Sequence, residues 1–88
     1  MDYRADSTRR RYNMAASYIK SLPEGSYKDL HSLVFLANHA DSLKNTEERK
    51  ILASNIGNIA EKLGQIYKKS EIKSALADIV FYLRHEDK

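Results

Sequence analysis

Three histidines are the residues best placed by type to hold a metal ion or move a proton near neutral pH. His31 and His39 stand eight residues apart, about 12 Å along a helix axis, so they cannot share one ion; metal-binding pairs on a helix are spaced four apart. His85 falls in the polar tail. There is no cysteine, which removes thiolate zinc sites, cysteine nucleophiles and any disulfide framework. No Gly-rich phosphate loop, Gly-x-Ser-x-Gly elbow or ordered Ser/His/Asp set occurs. The chain therefore reads as a protein that is not an enzyme and uses neither metal nor cofactor.

A second chemistry is phosphate contact. Arg9, Arg10 and Arg11 precede Tyr12, and Tyr67 precedes Lys68 and Lys69 with Lys73 a turn further on. Cations beside aromatic rings can neutralise phosphates and stack on bases. The formal net charge is +3, but residues 1–44 carry seven Lys/Arg against five Asp/Glu and residues 45–88 carry eight against seven. Neither half is a basic domain, and Asp2, Asp6, Glu71 and Asp78 lie close to the clusters, Arg4 included. Ordinary solvated charge at helix ends explains them as well as a nucleic-acid footprint does.

The elements that must position these residues are helices. Leu22-Pro23-Glu24-Gly25-Ser26 is the clearest turn in the chain. Before it, Asp6 or Ser7 can cap a helix over about 7–22, with Tyr12, Ala15, Ala16, Ile19 and Leu22 at three-and-four spacing. After it, Ser26 and Asp29 form an acceptable capping box for a helix over about 27–44, striped by Leu30, Leu33, Val34, Ala37 and Ala40 and widened by Leu36 and Leu43. Asn45 caps a third helix over about 46–67, with Glu47 and Glu48 in its first turn, and its seam is Leu52, Ile56, Ile59, Leu63 and Ile66. Ile72, Ala75, Leu76, Ile79, Val80 and Leu83 stripe a fourth over about 71–85. The six-residue step from Ile66 to Ile72 favours a turn at Lys68-Lys69-Ser70, with Ser70 as cap, over one continuous helix.

With 88 residues and 42% hydrophobic content, the chain makes one domain, residues 1–88. The fold class is all-α, a small antiparallel bundle of three to four helices that dimerisation could complete. No apolar window reaches 18 residues and no apolar leader follows Met1, so a cytoplasmic protein with no membrane contact is expected.

The third helix carries a second stripe, Ala53, Gly57, Ala60 and Gly64. Each interior glycine costs about 1 kcal/mol relative to alanine, and close approach of another helix would explain two of them. Three neighbours would serve: a helix of the same bundle, of a second copy or of another protein. Phe35, Phe81 and Tyr82 fall off the core stripes and are candidate anchors for a protein partner. Ile59-Ala60-Glu61-Lys62-Leu63-Gly64 resembles the first helix and turn of helix-turn-helix DNA-binding domains, although Gln65 and Ser70 stand where that pattern has apolar residues. Ala16 to Ser21, the isoleucine spacing of 51–66 and the acidic end 78–87 resemble loosely the small biofilm and acid-resistance regulators of enteric bacteria; that resemblance implies a small, all-helical, dimeric regulator. The leading expectation is a protein–protein interaction module such as a regulator, inhibitor, antitoxin or immunity-type protein. The alternative is a nucleic-acid-binding regulator.

Overall fold

In a computed structural model, which describes residues 3–85 and the side chains from Ser7 to His85, four helices follow one another: α1 (Tyr3–Lys20), α2 (Lys28–Ser42), α3 (Thr46–Ile66) and α4 (Ser70–His85). Helix α1 begins four residues ahead of the expected start, so Ser7 lies inside it; Arg4 and Ala5 are good helix formers and nothing there breaks the backbone. The side chains of Arg4 and Asp6, and all of Asp2, Glu86 and Asp87, lie outside the described residues.

Helix α1 ends at Lys20, where the Ser21 and Leu22 amides bond back to Ser17 and Ile19 in a tightening turn. The expected capping box at Ser26 does not form. The Ser26 and Tyr27 amides are both drawn to the Pro23 carbonyl, at 3.2 and 3.1 Å, which ties Ser26 into the turn and delays α2 to Lys28. Asn45 caps α3 as its type predicts, accepting the Glu48 amide at 3.0 Å. Helix α3 then runs unbroken through Gly57 and Gly64. The chain turns at residues 67–69, as the phase slip indicated, and Ser70 is the first helical residue of α4 rather than its cap.

The polar contacts give the topology. Arg9 and then Tyr12, in the middle of α1, reach Asp41 and then Asn38 back along α2, while His31 near the start of α2 reaches the Leu22 carbonyl just beyond α1. Arg49 at the start of α3 meets Asp41, Tyr67 at its end meets Asp29, and Arg9 meets Tyr82 near the end of α4. Consecutive helices are therefore antiparallel, and α4 returns antiparallel to α1. The α1–α4 pairing is the most extensive, α2 and α4 touch across one diagonal, and α1 and α3 do not meet. The result is an all-α bundle of 37 × 26 × 19 Å.

The core is filled by Ile19, Leu30, Leu33, Ile56, Ile72, Ile79 and their neighbours. One expectation is overturned here. The inward face of α3 is Arg49, Ala53, Ile56, Gly57, Ala60 and Leu63, so Ile59 and Ile66 of the supposed seam are exposed and Leu52 is half-buried. Helix α3 is turned by roughly 70° from the face its Leu/Ile content suggests. Alanine and glycine let α3 pack closely in the bundle, and the bulk that fills the space comes from leucines and isoleucines of α2 and α4.

Candidate functional site

The most concentrated polar chemistry lies at the end of the bundle where α1 and α3 begin and α2 and α4 finish. Asp41 follows Val34 and Ala37 at helical spacing, so its position belongs to the buried stripe of α2. Arg49 likewise heads the stripe continued by Ala53, Ile56 and Ala60. The two meet: Arg49 Nη2 donates to Asp41 Oδ1 at 3.3 Å, and Arg49 Nη1 donates to the backbone carbonyls of Ala40 and Asp41, each at 3.0 Å. A buried guanidinium thus neutralises a carboxylate and satisfies carbonyls at the C-terminus of α2, where the helix dipole is negative.

Tyr82 completes the cluster. Expected as an exposed anchor, it is only 1% exposed and belongs to the core. Its hydroxyl donates to Asp41 Oδ1 at 2.7 Å and accepts from Arg9 Nη1 at 2.6 Å, and its ring stacks on Tyr12 with centroids 4.4 Å apart. The spacing Ala75, Ile79, Tyr82 carried that information, since a residue three beyond Ile79 shares its face. The Tyr12 hydroxyl donates to Asn38 Oδ1. Burial, with Asp41 nearby, pushes the Tyr12 phenol up to about 12, against the pull of Arg9 and Arg49. Every group of this cluster is turned toward another helix of the same chain, which is the chemistry of a structural tie.

The small-residue stripe also packs within the chain for most of its length. Ala53, Gly57 and Ala60 are buried, and Gly64 is half-buried. A Cβ placed on Gly57 would come within 2.5 Å of Arg84 Nη2, so the glycine lets a guanidinium from α4 lie directly on the α3 backbone. A Cβ on Gly64 would meet open space. Beyond Arg84 a shallow groove runs between α3 and α4, floored by Ala60, Gly64, Leu76, Ala77 and Val80 and rimmed by Glu61 and Lys73. The stripe therefore serves an intramolecular neighbour first, with Gly64 open at the groove.

The remaining candidates lie on the surface. Phe35 is 74% exposed on the outer face of α2, beside a shallow depression bordered by Lys20, Glu24, Lys28, His31 and Asn38. Phe81 is 49% exposed on α4, its ring 4.2 Å from that of His85. Since α2 and α4 sit on a diagonal and both rings point away from the core, the two phenylalanines serve different faces. Arg9 is engaged with Tyr82 and Asp41, while Arg10 and Arg11 are exposed beside it. Lys68, Lys69 and Lys73 lie around the α3–α4 turn, at the opposite end of the bundle, so the basic clusters do not merge into one patch. Gly64 lies inside α3, which places no helix-turn-helix turn there. His31 donates its Nε2 hydrogen to the Leu22 carbonyl at 2.9 Å, and His39 is exposed on α2. No group of three acidic, histidine or cysteine side chains is arranged to hold a metal among the described residues, and no helix is long and apolar enough to cross a membrane. The chain matches no protein-family model, no curated protein and no solved structure.

Proposed function

We propose that this chain is a non-enzymatic helical protein that works by binding another protein, as small regulators, inhibitors, antitoxins and immunity-type proteins do. The observation that carries the reading is Phe35. Its ring is the most exposed large hydrophobic side chain among the described residues, on a helix whose inner face is fully packed by Leu30, Leu33, Val34, Ala37 and Ala40. Fold stability has no use for it there, whereas an aromatic ring entering a partner's pocket is the commonest kind of energetic anchor. Lys20, Lys28 and Glu24 line the depression beside the ring, so a partner of mixed polarity around an apolar pocket suits it.

The test is Phe35→Ala. Because the ring is exposed, unfolding should shift by less than about 0.5 kcal/mol. Affinity for the native partner, recovered by affinity purification from the source cell and then titrated as purified protein, should fall about thirtyfold or more, corresponding to a loss of about 2 kcal/mol. A partner that binds wild type and Phe35→Ala alike would remove this reading.

A further inference from the structure

The outer face of α3 carries more exposed large hydrophobic side chains than any other helix among the described residues. Ile51, Ile59 and Ile66 are 58%, 38% and 64% exposed, three of the six large hydrophobic side chains exposed among the described residues. The polar residues between them are not randomly placed. Taking Asn55 as centre, Ile51 and Ile59 lie four residues to either side, and Glu48 and Lys62 seven residues to either side. At 100° per residue all five fall within about 40° of the Asn55 direction, on one solvent-facing strip about 21 Å long. Read in either direction from Asn55 the strip is apolar, then charged, and the two charges are opposite.

A surface of this kind is complementary to itself when two copies run antiparallel. A two-fold axis through Asn55 sets Ile51 beside the partner's Ile59, Glu48 beside the partner's Lys62, and Asn55 beside the partner's Asn55. Each charged contact occurs twice, with opposite signs meeting both times. Parallel pairing in register would instead set Glu48 against Glu48 and Lys62 against Lys62. Neither Glu48 nor Lys62 is engaged by another charge in its own chain: among the described residues the ion pairs recorded are Arg9–Asp41 and Arg49–Asp41. The rotation of α3 within the bundle completes the strip, since it turns the small residues inward and brings Ile59 outward beside Ile51, which lies off the expected seam.

We infer that the chain forms a homodimer through antiparallel pairing of α3 across Asn55, with Ile51 and Ile59 as its apolar layers and the Glu48–Lys62 pairs fixing its direction. Asn55 on the axis gives two side-chain amides that can exchange hydrogen bonds, a polar pair that penalises other registers. The interface goes beyond the function proposed above, because its occupant is a second copy and it lies on a face that does not include Phe35. It stands or falls independently.

The experiment uses the full chain, which has no native cysteine to interfere. Sedimentation equilibrium of wild type should show a monomer–dimer equilibrium. Lys62→Glu, which sets glutamate against glutamate twice, should weaken it about tenfold or more, and Glu48→Lys combined with Lys62→Glu should restore it. Direction is read by oxidation. Ile51→Cys mixed with Ile59→Cys should cross-link, each variant alone should do so far less, and Asn55→Cys should cross-link with itself. All these positions are exposed, and circular dichroism should show unchanged helix content. A monomer at every concentration overturns the inference, as does a dimer indifferent to Lys62→Glu or an Ile51→Cys variant that cross-links efficiently with itself. Loss of the dimer alongside intact partner binding, or the reverse, separates this inference from the role of Phe35.

Discussion

Asp41 shows how much one side chain can organise in a bundle this small. Its carboxylate receives bonds from Tyr82 and Arg49 and lies 3.9 Å from Arg9, and the stacked Tyr12 and Tyr82 rings shield the same corner. The tyrosines make the cluster sensitive to alkali. Tyr12 is held at about 12 against 10.0 for a free phenol, so its neutral form is favoured in the folded state. That stability is fully present below pH 10 and is lost as pH rises toward about 12, because the unfolded chain ionises first. Tyr67 acts in the same window, held at about 12 chiefly by the hydrogen bond it donates to Asp29. Resistance to urea should therefore fall as pH rises from 10 toward about 12, and the decline should be smaller in Tyr12→Phe. An identical decline in wild type and variant would show that the buried phenol does not carry it.

Among the elements, α3 separates what could be read in the sequence from what could not. Its start at the Asn45 cap, its end before the Lys68–Lys69 turn and its antiparallel neighbours were legible, because caps and breaks are local signals. Its rotation was not. A stripe of leucine and isoleucine outweighs one of alanine and glycine in any hydrophobic count, but inter-helix distance rewards small residues, and that distance belongs to the assembled bundle. Two clues to the true face were nonetheless present: Arg49 stands in phase with Ala53 and Ala60, and Asp41 in phase with Val34 and Ala37, charged residues sharing a stripe with apolar ones. Tyr82 in phase with Ile79 was a third. The glycines now have separate roles that stability measurements can distinguish. Gly64→Ala enters open space and should stabilise the fold by about 0.8–1 kcal/mol through helix propensity. Gly57→Ala should gain less, since its methyl must displace the Arg84 guanidinium. Equal gains in chemical denaturation would mean that Arg84 does not rest on α3.

For the molecule as a whole, the tie at Asp41 is a polar junction that reaches all four helices, through Arg9 on α1, Arg49 on α3 and Tyr82 on α4. Asp41→Ala removes the carboxylate on which Arg49, Arg9 and Tyr82 converge and should cost about 3 kcal/mol, a large share of the total stability of an 88-residue domain. Asp41→Asn keeps an acceptor and should cost less; thermal melts of the two variants would decide. A cost below about 1 kcal/mol for Asp41→Ala would place the stability in the apolar core alone. The same junction also implies an order of assembly. Arg49 is eight residues from Asp41, Tyr82 is forty-one away, and Arg9 is seventy-three from Tyr82. Closing the short loop loses the least chain entropy, so the α2–α3 hairpin can set its carboxylate before the outer helices arrive. Loop closure thus favours the contacts between consecutive helices over the Arg9–Tyr82 bond, which joins α1 to α4 across nearly the whole described chain.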